Sequence, residues 1–164
     1  MRCLIVSLAL FFLASCAPAP EPVSEFKPVA DIHALMENIV YPNADKFWKS
    51  VGTIITEEGT QEIRPETDED WEAIMGNAYT LTEVGNLLLI KDRAREEHVW
   101  PSGDEEWTGY AYELISAGEA AIKAVEAKDP DAVFDAGGTL YVACRNCHGK
   151  YLHEPGDPGA TMEF

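Results

Sequence analysis

Apolar residues recur at spacings of three and four through most of this chain, which predicts helices. The first segment runs roughly from Ala30 to Val51, with Ile32, Leu35, Met36, Ile39, Val40, Phe47 and Trp48 on its inward stripe. Pro42 lies inside it and predicts a kink or a restart, because proline lacks the N–H that continues a helix. Asn43 and Asp45 are placed to recap such a restart. A loop with Gly52, Gly59 and Pro65 follows; its IIT and QEI stretches could pair briefly, but the pattern predicts no strands there.

Thr67 is an N-cap candidate, and the acids around it suit the positive end of a helix dipole. The second helix, Asp68 to Ile90, carries Trp71, Ile74, Met75, Ala78, Leu81, Val84, Leu87 and Leu88 on one broad face. Its span is about 35 Å at the α-helical rise. Arg93 to Pro101 makes a polar turn. The third helix runs from about Asp104 to Lys128, with Trp107, Tyr110, Leu114, Ala117, Ala121, Ile122 and Val125 inward. Asp129-Pro130 then matches an N-cap followed by proline at the first helical position. The fourth helix holds Val133, Phe134, Leu140 and Tyr141 and ends soon after His148. Four amphipathic helices with short links predict an all-α, antiparallel four-helix bundle.

The start of the chain has a different pattern. Arg2 precedes an apolar run, Leu4 to Leu13, too short for a comfortable membrane span and suited to the core of a secretory signal. Leu13-Ala14-Ser15-Cys16 reads as a lipobox, with Cys16 as the lipid carrier; cleavage after Ala17 is the alternative. Residues 1–15 are therefore expected to be a lipoprotein signal peptide and 16–28, rich in Pro and Glu, a tether. Residues 29–154 form the helical domain, and 155–164, with two Pro-Gly steps, a loose tail. Export with lipidation implies a periplasmic protein anchored to a bacterial membrane, the outer in preference to the inner.

Composition changes this picture little. Apolar residues make up 46% and charged residues 25%, the balance of a soluble globular domain. The formal charge of −17 excludes a nucleic-acid partner, for want of a basic patch, and suits docking to a basic protein. Paired acids, Glu57-Glu58, Glu96-Glu97 and Glu105-Glu106, fall in loops or at helix starts and read as solvated charge. No nucleophile triad or phosphate loop appears, so turnover chemistry is not expected.

The chemistry lies in two cysteines. With Cys3 removed and Cys16 lipidated, Cys144 and Cys147 remain, and His148 follows them. Cys144-Arg145-Asn146-Cys147-His148 is the haem c attachment pattern. Two thiols at this spacing add to the two vinyl groups on one porphyrin edge, and the adjacent imidazole ligates the iron. A redox dithiol is the alternative, though the βαβ pattern around thioredoxin-like motifs is missing; zinc would need a second ligand pair. The sixth iron position decides function: a thioether gives a low-spin electron carrier, and an open position admits a gas molecule. Spacing leaves Met36, Met75 and His33 as candidates, each with core packing as its plain reading. His98, His153 and Met162 read as loop or tail residues. Lys46, Lys49, Arg93 and Arg145 are the candidates to meet haem propionates.

A haem motif near the C-terminus of four helices resembles the class II c-type cytochromes, the cytochrome c-prime group and its low-spin relatives. Class I members carry the motif near the N-terminus. Weaker features occur in order: Leu35-Met36, Val40-Tyr41-Pro42, Ala44 and Trp48; Pro65 and Thr67 before Trp71; Leu81, Glu83 and Asn86-Leu87-Leu88; Gly137-Gly138 with Leu140-Tyr141; and Tyr151. The resemblance implies thioethers at Cys144 and Cys147, His148 as proximal ligand, and Met36 facing the distal side, where low-spin members use methionine. It implies single-electron transfer with a redox partner protein. In cytochrome c-prime proper the iron is five-coordinate, so binding of nitric oxide or carbon monoxide is the alternative function. It also implies that a homodimer can form through the first two helices.

Overall fold

The computed structural model describes residues 26–90, Arg93 and residues 105–151. The signal segment, Cys16 and the tether up to residue 25 lie outside the described residues, as do His98, His153, Met162 and the rest of the tail. The described chain is mostly helical, with one two-stranded sheet.

Asp31 caps the first helical stretch, its carboxylate accepting the Ala34 N–H at 2.7 Å. The stretch is then α1 (Ile32–Leu35), a π-helical turn (Met36–Val40) and α2 (Tyr41–Trp48). The interruption expected at Pro42 takes the form of a π turn just before it, with no break in helical backbone. The backbone stays right-handed helical at Leu35, Val40 and Tyr41, and the Tyr41 N–H reaches back five residues to the Met36 carbonyl. A π turn takes in one extra residue, which relieves the clash of the Pro42 ring with the carbonyl four residues back. Asn43 does not recap; its amide donates to the Ile39 carbonyl at 2.7 Å, and Asp45 accepts from Lys49. The extra residue shows in the burial pattern. Ile32, Leu35, Val40, Ala44 and Phe47 are buried, and the step from Leu35 to Val40 is five residues long.

The loop expected after this stretch is instead a hairpin. Strands β1 (Gly52–Thr56) and β2 (Gly59–Ile63) pair antiparallel, Gly52 opposite Ile63 and Thr56 opposite Gly59. The Thr56 hydroxyl accepts the Glu58 N–H, and Gly59 sits at φ +143°, a conformation open to glycine. β-branched Thr53, Ile54, Ile55, Thr56, Thr60 and Ile63 favour the extended state. Almost all of the hairpin is exposed, so it lacks the apolar alternation by which a strand is read from sequence.

Helix α3 (Asp68–Leu88) begins as expected. Thr67 and Asp70 form a capping box: Thr67 accepts the Asp70 N–H at 3.1 Å, and Asp70 accepts the Thr67 N–H at 2.9 Å. These bonds hold the Asp70 carboxyl below its ordinary pKa. Helix α4 (Glu105–Glu126) runs back along α3. Trp107 at its start donates to the Leu88 carbonyl at 2.9 Å, and Lys128 beyond its end pairs with Asp68. Close approach depends on Gly118, where a Cβ would lie 2.9 Å from the Thr82 Cα.

The α4–α5 link is a left-handed cap. Lys128 has φ +51°, its N–H reaches the Val125 carbonyl, and the Asp129 N–H reaches that of Ala124. Asp129 then caps α5 (Pro130–Tyr151), accepting N–H groups from Asp131 and Ala132. Helix α5 packs on α4 and touches α2, and α2 and the π turn pack on α3. One apolar core joins all of them, with Phe47, Leu35, Leu81 and Leu140 among its most buried side chains. No described helix is long and apolar enough to cross a membrane.

Candidate functional site

Cys144, Cys147 and His148 occupy the last turns of α5. At roughly 100° per residue, positions i, i+3 and i+4 fall within one narrow sector of the helix. All three are half-buried, between buried Ala143 and half-buried Tyr151, while Arg145, Gly149 and Lys150 on the other side are exposed. Both thiols are free.

Residues of α4 enclose this end of α5. The Tyr151 ring meets Trp107 and Tyr110 edge-on, with centroids 5.1 and 5.9 Å apart. Asn146 donates to Glu113 at 3.4 Å, and Lys150 pairs with Glu106 at 3.2 Å. In the middle of the motif's helix, the Trp48 indole donates to the Gly137 carbonyl at 2.9 Å, and its ring lies edge-on to Tyr141. A Cβ on Gly137 would come 3.1 Å from the Trp48 ring, so the glycine lets α2 and α5 close.

Burial pushes the Cys144 thiol up to about 11 and, with nearby Cys144 and Glu113, the Cys147 thiol up to about 12. It pushes the His148 imidazole down. At neutral pH the site therefore holds two protonated thiols and an uncharged imidazole. A redox dithiol needs the reverse, one thiol acidified by a helix N-terminus or a cation. Here the pair sits at a helix C-terminus, the negative end of the dipole. Among the described residues no three His, Cys, Asp or Glu side chains converge as metal ligands. A porphyrin needs no such convergence, because it takes the thiols at its edge and the imidazole at its centre.

Of the distal candidates, His33 stands apart from the two methionines. Met36 opens the π turn, half-buried against the core, and that turn packs on α3. Met75 is half-buried on α3. His33 faces solvent, 58% exposed, and pairs with Glu37 at 3.4 Å. Of the cations, Arg93 is buried and donates to the Ala30 carbonyl at 2.7 Å, tying down the entry to α1. Lys46, Lys49 and Arg145 are exposed. The Trp48–Gly137 bond and the aromatic group on Tyr151 are not evident from spacing; the paired glycines inside a helix are the one trace of the first.

No known protein family, curated protein or solved structure matches this chain.

Proposed function

We propose that this protein is a c-type cytochrome of the class II kind: a four-helix bundle with one haem c bound through Cys144 and Cys147 near the end of the fourth helix. His148 is its proximal ligand and Met36 its distal ligand. The observation that carries this reading is the half-buried face of α5 that holds two free, protonated thiols and a neutral imidazole at the haem-attachment spacing. The residues fit the group: neutral imidazole is the form that ligates iron, and the motif lies beside half-buried Tyr151, whose ring Trp107 and Tyr110 brace edge-on.

The haem supplies reversible one-electron chemistry. The chain's own part is to orient the ring through α5, to exclude water and to present one edge to a redox partner. The acidic surface suits a basic partner. The signal-like start and Cys16 favour a periplasmic, lipid-anchored carrier with no turnover of its own. The alternative is a five-coordinate iron that binds nitric oxide or carbon monoxide, with Met36, half-buried against the apolar core, serving as a packing residue.

Expression with a haem-attachment system tests the proposal. The denatured chain is expected to keep its haem and the corresponding mass, and Cys144→Ala with Cys147→Ala to lose both; a haem-free wild-type chain sinks it. Ferric and ferrous spectra then separate the two forms. Low-spin spectra lost in Met36→Ala support the methionine ligand, and ready carbon monoxide uptake by the wild-type ferrous protein favours the five-coordinate form.

A further inference from the structure

An open apolar groove of about 310 Å³ runs along the seam between α2 and α5, with Trp48, Val51, Phe134 and Tyr141 among its walls. The Trp48 indole N–H is spent on the Gly137 carbonyl, so that wall offers only its ring. Phe134 is 64% exposed. Gly138 lines the floor; it is exposed, and a Cβ there would meet nothing within 4 Å. Glycine inside a helix is unfavourable, and the protein's own packing does not require it at this position. What the missing side chain does is leave the groove open.

One end of the groove has an acidic rim. At about 100° per residue, Asp131, Phe134, Gly138 and Tyr141 fall within one arc of about 80°, and Asp135 lies on its flank. Asp131 and Asp135 are both exposed, and among the described residues neither takes part in an ion pair. Four residues apart on one helix, they repel each other. Arg64, which lines the adjoining cleft with Asp131, pairs with Glu62. Arg145 is on the same stripe but about 21 Å from Asp131 along the helix, too far to reach it. The two aspartates are therefore left for a cation from outside.

We infer that this groove docks a basic partner protein, which lays a large apolar side chain against Gly138 and sets a neighbouring lysine or arginine between Asp131 and Asp135. Burial of the apolar anchor among aromatic walls supplies the binding. The charges fix its direction: the aspartates attract the partner's cation at one end of the stripe, and Arg145 repels it at the other.

The groove lies close to the attachment motif. Gly138 is about 9 Å along α5 from Cys144, less than two turns, and Tyr141 is nearer still. A partner seated there is held beside the cysteines. That it exchanges electrons with the chain rests on the haem proposed above; the docking itself does not.

Titration of the purified chain, with and without haem, by the peptide acetyl-Arg-Ala-Leu-amide tests this. Amide NMR shifts are expected to saturate and to centre on Asp131, Phe134 and Gly138. Replacing the peptide's leucine by alanine, or its arginine by glutamate, should weaken binding about tenfold or more. Gly138→Leu, which fills the floor, should keep its helical circular dichroism and lose binding. Asp131→Asn with Asp135→Asn should erase the preference for arginine over glutamate. Equal affinity for the leucine and alanine peptides, or undiminished binding by Gly138→Leu, would overturn the inference. So would a wild-type dimer in sedimentation that Gly138→Leu dissociates, because the groove would then hold a second copy. Binding by a chain that never takes up haem would support the docking and sink only the redox reading.

Discussion

The last turns of α5 and the π turn before α2 carry the two sides of the proposed haem site, and they are built by different means. On α5, Cys144, Cys147 and His148 share a face because regular helix geometry repeats every 3.6 residues. Their mutual placement needs no other part of the molecule. Met36 sits at the start of a turn with one residue more than regular helix, so its direction relative to Phe47 differs by roughly 100° from what a continuous α-helix would give. That offset depends on Pro42 and on the burial of Leu35 and Val40 against other helices. The proposed attachment would thus be a local property of one helix, and the proposed distal ligation a property of the packing between helices.

The contact that joins the two regions offers the largest test. Trp48→Ala removes the indole bond to Gly137 and the ring against Tyr141, and should cost about 3 kcal/mol in urea unfolding. Trp48→Phe should cost about 1 kcal/mol, the loss of the hydrogen bond alone. Equal costs would show that the bond, not the packing, joins the helices.

The thiols test the α5 side by itself. With Cys144 raised to about 11 and Cys147 to about 12, the haem-free chain should alkylate at pH 8 about a hundredfold more slowly than an unfolded control. The rate should keep rising with pH towards 11, since only the thiolate reacts. Rates equal to the control would mean that the face is open to water.

Pro42→Ala tests the other side. It restores an N–H for the Asn38 carbonyl and removes the ring that the π turn accommodates, so it should raise stability by about 1.5 kcal/mol. If Met36 is the distal ligand, the same change should alter the haem spectrum without altering covalent attachment. An unchanged spectrum would mean that burial of Leu35 and Val40 alone holds the turn.

Two smaller changes sharpen the contrast. Gly137→Ala forces the Trp48 ring to give way by a few tenths of an ångström and should cost about 1 kcal/mol in thermal unfolding. Asp129→Ala removes the cap of α5 and should cost about 0.7 kcal/mol, leaving the spectrum as it was because the motif lies at the far end of the helix. A spectral change there would show that α5 does not act as one rigid element.

Local features were legible wherever their cause is local. The Thr67 cap, the Asp129-Pro130 start and the inward stripes of α3 and α4 all follow from spacing and side-chain chemistry within a few residues. The hairpin was not, because an exposed two-stranded ribbon buries too little to leave an apolar alternation. Nor was His33's exposure, because the extra residue of the π turn changes which positions face inward.

By itself, then, the sequence determined that Cys144, Cys147 and His148 share one helix face, and where most of the long helices begin and end, since helical hydrogen bonds and caps span only a few residues. The tertiary structure decided the rest. It set the π turn that Met36 opens, the closing of α2 on α5 over Gly137, and the burial that keeps both thiols protonated. Each of these depends on what a distant helix places against the residue, and spacing along one helix carries no record of that.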